Sequence, residues 1–226
     1  MSRRVLRLDL HVHTRRSYDA FTTLEEAIST AKQRGLDGLA ITDHDVAPVS
    51  LDQAYADRDM ILIPGIEVSA KDGHILALGV SGPVPRGFPV GDTVDGIHDL
   101  NGIAVVAHPF SLLHGVGWNP KNAALADAIE VLNSNSNLFS YQTWRSHRLA
   151  QTLQKPITAG SDSHIPKTIG NAYTVVEAEG TSLDAILSAI LRGNVRPAGV
   201  STSMIDKLSK VALRIKSRVL AGRDPE

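Results

Sequence analysis

The sequence predicts an α/β fold, a (β/α) barrel with about seven barrel-type strands, one fewer than the eight of a regular barrel. Three observations predict it. Short apolar runs alternate with helical patterns along most of the 226 residues, the signature of βα repeats around a mostly parallel sheet. Histidines and acids recur just past the ends of those runs, and no repeat of solenoid period or low-complexity tract interrupts the alternation.

Taken in order, residues 5–12 read as a strand with Leu8, Leu10 and Val12 on one face and Asp9, His11 and His13 on the other. Residues 24–34 are helical and stop at Gly35. Residues 38–42 form a second strand, and 51–57 a short helix. Strands over 60–68 and 75–80 flank Lys71-Asp72-Gly73, a turn signal that inserts a hairpin into the repeat. The Pro/Gly-rich stretch 79–91 reads as a loop rather than a domain linker, because chemically interesting residues lie on both sides of it.

The repeat resumes with a helix over 93–100, a strand over 103–107, a short helix near 122–127 and a strand over 128–132. Then come the longest mid-chain helix, 139–154, strands over 157–160 and 174–177, and a helix over 183–191. A last helix over about 203–221 places Met204, Leu208, Val211, Ile215 and Val219 on one side. That stripe is expected to pack on the barrel and leave the basic residues Lys207, Lys210, Arg214, Lys216 and Arg218 in water, nucleic-acid contact being the less favoured use. Residues 1–226 are read as one domain.

Composition narrows the function. Hydrophobic residues make up 42% and charged residues 21%, as in ordinary soluble proteins. A net charge of −1 provides no overall field for nucleic acid or an anionic membrane. With no cysteine there is no disulfide, thiolate metal site or Cys nucleophile. The start MSRRVLRLDLHVH is too broken for a signal-peptide core, and no run approaches the roughly 18 to 20 apolar residues of a membrane span. A cytoplasmic protein without a membrane partner is expected, its oligomeric state open.

Three polar groups on one face of the first strand need partners, since each left bare in a dry interior costs a few kcal/mol. The pattern recurs: ITDHD brings Asp43 and His44 past a strand, IPGIEVS brings Glu67, VVAHP brings His108, and TAGSDSH brings Asp162 and His164. His74 opens the second strand of the hairpin, near Glu67 if the turn is tight. In a parallel barrel the C-terminal strand ends share one rim, so these residues converge. Imidazole and carboxylate donors without sulfur suit Zn²⁺, Mn²⁺ or Fe. A catalytic zinc uses about three protein ligands, so the surplus implies more than one ion.

DLHVHT, AITDHD, the Glu67 and His108 segments and GSDSH, in that order between residues 9 and 164, resemble the successive motifs of the PHP (polymerase and histidinol phosphatase) family. The resemblance implies a distorted seven-stranded TIM-like barrel and a trinuclear metal site. It implies His11, His13, Glu67 and Asp162 on one ion, Glu67, His74 and His108 on a second, and Asp19, His44 and His164 on a third, with Glu67 bridging. The acid matching Asp19 lies one position earlier in many members, where this chain has Tyr18, so a one-residue shift in the loop is implied. Asp9 and Asp43 are expected either to orient metal-bound imidazoles or to cap loop amides.

About three dications against three carboxylates leave a surplus of positive charge that a phosphate ester answers. The expected enzyme is a metal-dependent phosphoric ester hydrolase acting on a small phosphate ester or nucleotide, by in-line attack of metal-bound hydroxide on phosphorus. Catalysis is expected to depend on Glu67, His108 and Asp162. Arg15, Arg16 and Lys167, in loops beside the motifs, are candidate phosphate clamps or else surface cations. Trp118 either stacks on a base or sugar or packs its own loop, His114 sits at the rim, and His98 and His147 are surface residues on helices. Rival readings are a 5'-3' exonuclease on DNA or RNA, a deaminase or amide hydrolase, and a non-catalytic PHP regulatory module.

Overall fold

In a computed structural model, which describes residues 3–48 and 60–221, nine strands form one sheet. The elements in chain order are β1 (Arg4–Val12), α1 (Leu24–Gln33), β2 (Gly38–Ile41), β3 (Ile61–Ala70), β4 (Gly73–Leu78), α2 (Val90–Asp99), β5 (Ile103–Val106), α3 (Pro120–Ala123), β6 (Ala128–Asn133), α4 (Phe139–Leu153), β7 (Ile157–Gly160), β8 (Ala172–Ala178), α5 (Leu183–Leu191), β9 (Val195–Gly199) and α6 (Met204–Ala221). The expected helix over 51–57 lies outside the described residues. Among them, no helix is long and apolar enough to cross a membrane.

The strand order is β7-β6-β5-β4-β3-β2-β1-β8-β9. The sheet curls until its far end returns to β1: Val12 bridges Ser163, just past β7, and Asp162 N–H donates to His11 O at 2.8 Å. The result is a nearly closed, barrel-like sheet. Two expectations are corrected. There are nine strands rather than about seven: all eight segments read as strands join the one sheet, the hairpin strand included, and β9 is added, pairing with β8 at the sheet edge. The sheet is also half antiparallel: β3–β4, β4–β5, β1–β8 and β8–β9 run antiparallel, while β1–β2, β2–β3, β5–β6 and β6–β7 are parallel. The two-residue link at 71–72 is too brief for the crossover that parallel neighbours need, so β4 runs against β3 and, in turn, against β5.

Local sequence explains the elements that position the site. Thr23 caps α1 in a capping box with Glu26, and Gly35 leaves the helix with φ +67°. Ala27 and Ala31 of α1 pack with Val12, Leu39 and Ile41, fixing the ends of β1 and β2. A second cluster joins Leu8 and Leu10 to Leu76, Val105 and the α5 residues Ile186 and Ile190. A third, including Ile66, Val68, Val106, Ile129 and Val131, is covered by Val94 and Ile97 of α2 and Leu149 of α4. Fully burying such a side chain contributes roughly 1.5–3 kcal/mol, so the strand ends around the polar cluster sit on a rigid floor.

Candidate metal centre

Glu67, in β3 and 1% exposed, collects five imidazoles from four segments of the chain. Its Oε2 lies 3.1 Å from His11 Nε2, 3.1 Å from His13 Nε2 and 3.2 Å from His44 Nδ1. Its Oε1 lies 2.7 Å from His74 Nδ1 and 2.8 Å from His108 Nε2. Asp162 Oδ1 closes the cluster, 3.3 Å from His13 Nε2 and 3.4 Å from His164 Nδ1. Asp19 Oδ2 is 3.1 Å from His164 Nε2, and its Oδ1 is 3.8 Å from His44 Nε2. All nine residues that the sequence put forward as ligands therefore meet in one place. In the loop after β1 it is Asp19 that turns inward, whereas Tyr18 is 78% exposed.

Backbone geometry helps to aim them. His108 and Asp162, each just past a strand end, hold φ at +26° and +52°, a region unfavourable for side chains with a Cβ. Gly160 makes room for the first strand: a Cβ there would run into the Cβ of His11 and approach Glu130 Oε1 at 2.9 Å.

The hydrogen bonds at the back of the imidazoles assign their tautomers. His11 Nδ1 donates to Glu130 Oε1 at 3.0 Å, so its Nε2 faces Glu67 as a lone pair. Ser17 Oγ donates to Asp43 Oδ1 at 2.8 Å and so accepts from His13 Nδ1 at 3.2 Å. His164 Nδ1 donates to Asp162 O at 2.9 Å, leaving Nε2 toward Asp19. Lone pairs pointed at carboxylates repel unless a second proton or a cation lies between them. Three atoms of the cluster, His13 Nε2, Asp19 Oδ1 and His108 Nδ1, are buried without a hydrogen-bond partner. Donor atoms lie within 4.8 Å of one another in three sets: His11, His13, Glu67 and Asp162; His44, Glu67 and His74; and His13, His44 and His164. The first is the set expected for one ion. The others differ in using His44 in place of His108 and His13 in place of Asp19. Oxygen and nitrogen donors, with His13 Nε2 and Asp19 Oδ1 orphaned on the inner side, fit divalent cations.

Electrostatics follow from the same contacts. Without ions a second proton takes that place: burial alone would raise the Glu67 carboxyl, but the charge of a protonated His11 and the imidazoles of His108, His11 and His13 set against it hold it well below the usual range. Burial alone would lower His13, yet the Asp162 and Glu67 carboxylates push it up to about 9. At His44 burial prevails over Glu67, Asp19 and Asp162, and with the neighbouring charge of His13 brings the imidazole down to about 4.

Of the two flanking acids, Asp43 reaches an imidazole through Ser17, while also accepting from Thr14 N at 2.6 Å and Thr14 Oγ1 at 2.7 Å. Asp9 touches no imidazole. It accepts from the amides of Ser161 and Gly170, both at 2.8 Å, and burial raises its carboxyl to about 6. Glu130 of β6 escaped the sequence reading, although a lone acid inside the apolar run AIEVL was the signal. It is 1% exposed and also accepts from His108 N at 2.7 Å and Asn133 Nδ2 at 3.0 Å.

A cavity of about 700 Å³ opens over the cluster. The cations lining it are Lys207, Lys210 and Arg214 of α6, and not Arg15, Arg16 or Lys167. Lys167 is paired to Asp206 at 2.7 Å, and Arg15 and Arg16 are exposed on the loop after β1. The expected packing of α6 is thus reversed: Met204, Leu208, Val211 and Ile215 are 70%, 62%, 52% and 59% exposed. Periodicity says which residues share a face, not which face meets the barrel. The side chains of Lys216, Arg218 and Val219 lie outside the described part. His114 stacks on His74 with ring centres 4.3 Å apart and lines the cavity. Trp118 packs its own loop, donating to Ser111 O at 3.0 Å, and His98 is a surface residue paired to Asp127. His147 is half-buried.

The family profile for the PHP domain matches residues 9–152, and one described as PHP-associated matches 141–195. A Syntrophotalea carbinolica protein named "Probable phosphatase" is 25% identical over 232 residues, spanning 86% of this chain and 97% of its own. Among solved structures, PsfC from Pseudomonas syringae superposes with a TM-score of 0.71 at 16% identity, covering 96% of this chain and 99% of that one. The lesion-specific endonuclease PfuEndoQ from Pyrococcus furiosus superposes with a TM-score of 0.61 at 16% identity, over 87% of this chain but only 59% of its own. With the PHP-domain profile matching well over half of the residues, on the stretch that carries the imidazoles and Glu67, the chain belongs to the PHP family.

Proposed function

We propose that the chain hydrolyses a phosphate ester of a small molecule, with two to three divalent ions (Zn²⁺, Mn²⁺ or Fe) held by the nine residues in the grouping that the family implies. The chain is a hydrolase, and this reading makes 1–226 one catalytic domain. The observation that carries the proposal is the bridging position of Glu67, whose two oxygens lie within 3.2 Å of five imidazoles. Bound divalent ions supply water activation and neutralisation of phosphoryl oxygens.

The chain's own groups do the positioning. Glu130, Ser17 and the Asp162 carbonyl keep protons on the outer nitrogens of His11, His13 and His164, so the inner nitrogens remain donors. Asn133 and Asn135 hold Asp162 Oδ2 with amide groups at 3.3 Å. The hydroxyl closest to the imidazoles, Ser17, is committed to Asp43, His13 and the His44 amide, which argues against a serine nucleophile. Glu67, His108 and Asp162 are the ligands on which turnover should depend most.

A second reading, cleavage of DNA, is favoured by the cations on the cavity wall and by the likeness to PfuEndoQ. One experiment separates the two. Protein loaded in parallel with Mn²⁺, Zn²⁺, Fe²⁺ or Mg²⁺ is assayed on phosphomonoesters, phosphodiesters and labelled DNA and RNA oligonucleotides. Release from small esters with intact oligonucleotides is expected. Cleavage of oligonucleotides alone would favour the nuclease, and inertness toward every substrate would overturn the hydrolase reading.

A further inference from the structure

α6 is mounted against its own amphipathicity. Lys210 has a side chain only 22% exposed, whereas Leu208 and Val211 on the same helix are 62% and 52% exposed. Withdrawing an ammonium from water while leaving leucine and valine in it opposes the hydrophobic effect twice over. A fold keeps such an arrangement where the cation is used.

The three cations occupy positions i, i+3 and i+7, which share one face of a helix, and all line the cavity above the cluster. Each has a separate place. Lys207 Nζ donates to Ser136 O at 2.7 Å and ties the helix to the loop after β6. The Lys167 to Asp206 ion pair, 2.7 Å, ties it to the segment after β7. Lys210 Nζ reaches to 3.8 Å from Asp19 Oδ2 at the edge of the cluster. Arg214 lies one turn further on, its guanidinium 5.9 Å from the centre of the Tyr18 ring. One helical turn advances about 5.4 Å, so the wall offers two cationic positions separated by roughly the span of a three-carbon unit.

We propose that α6 is a substrate clamp in which Lys210 meets the reacting phosphoryl group and Arg214 a second anionic group, so that preferred substrates carry a carboxylate or second phosphate near the scissile phosphate. This rests on the phosphoester hydrolase reading. A guanidinium offers a planar fork of donors that suits either anion. Ser111, Leu112 and Leu113, which also line the cavity, carry no charge, so the second anion is read from the α6 side.

The test uses two probes without a P–O–C bond, propylphosphonate and 3-phosphonopropionate, which differ by one carboxylate. Both are titrated calorimetrically into the full chain loaded with Mn²⁺. The wild type should bind 3-phosphonopropionate about tenfold more tightly, the worth of one charge-assisted hydrogen bond. Arg214→Gln should abolish that preference, whereas Arg192→Gln, on the exposed end of α5, should retain it. Equal affinity for the two probes in the wild type, binding of neither, or a preference that survives Arg214→Gln would each overturn the clamp. Its failure is distinguishable from that of the hydrolase reading. Discrimination between the phosphonates without hydrolysis of any ester removes the activity and keeps the clamp, and hydrolysis without discrimination does the reverse.

Discussion

Glu130 Oε1 accepts a hydrogen bond from His11 Nδ1 at 3.0 Å, with both side chains withdrawn from solvent. The contact fixes which nitrogen of His11 faces Glu67. The same carboxylate takes the amide of His108 on its other oxygen, so one residue of β6 orients two neighbouring segments. Glu130→Gln puts an amide NH₂ against one of those donors. Metal affinity should fall about 10- to 100-fold, the usual effect of losing a group behind a ligand, with the far-UV spectrum unchanged. A competition titration against a chromophoric chelator measures it, and an affinity equal to wild type would remove Glu130 from the account.

Ser17 transmits Asp43 to His13, since its hydroxyl donates to the acid and accepts from the imidazole. Ser17→Ala leaves His13 Nδ1 without an acceptor and Asp43 with one donor fewer. The expected stability loss is about 1–3 kcal/mol, read by urea denaturation of metal-free protein, together with weaker metal binding. Ser17→Thr, which keeps the hydroxyl, should recover most of the metal affinity. A Thr variant as impaired in binding as the Ala variant would contradict the relay.

Gly160 is required for a reason different from backbone freedom, because its missing side chain is the space through which His11 passes. Gly160→Ala should therefore lower stability by about 1–3 kcal/mol, the cost of overpacking, and weaken metal binding in the same protein. Denaturation midpoints and the chelator competition check both. A variant with unaltered stability and metal affinity would show that β1 and β7 adjust freely.

Ligands that bind only the folded chain stabilise it, by about 4 kcal/mol at a free concentration one thousand times the dissociation constant. Chelation should thus lower the thermal midpoint by several degrees, and adding Mn²⁺ or Zn²⁺ back should restore it. Glu67→Gln should respond much less to either treatment. Equal responses would place the stabilising ions elsewhere.

How much of this was legible in the sequence depended on the physical signal. Short apolar runs located β1 to β8, and the spacing of His11 with His13 and of Asp162 with His164 marked strand ends. β9 was missed because Val195–Gly199 holds Pro197 and Arg196 and is only partly buried, so it lacks the apolar alternation of a covered strand. Glu130 was missed because it stands alone, without a second ligand type two residues away. Its inward position is evident only once β6 lies between β5 and β7. The cations that line the cavity were not legible for a different reason. Arg15, Arg16 and Lys167 are close to the ligands in sequence, whereas Lys207, Lys210 and Arg214 come to the cavity through the placement of α6.

The central claim is that the Glu67-centred cluster binds several ions at once. The direct measurement is elemental analysis of purified chain after loading with Mn²⁺ or Zn²⁺ and desalting, beside Glu67→Gln and His108→Ala. The account predicts about two to three ions per wild-type chain, fewer in both variants, and turnover lower by orders of magnitude in each while the fold persists. Folded wild-type protein with no ion above background, or Glu67→Gln with the full complement, would contradict it.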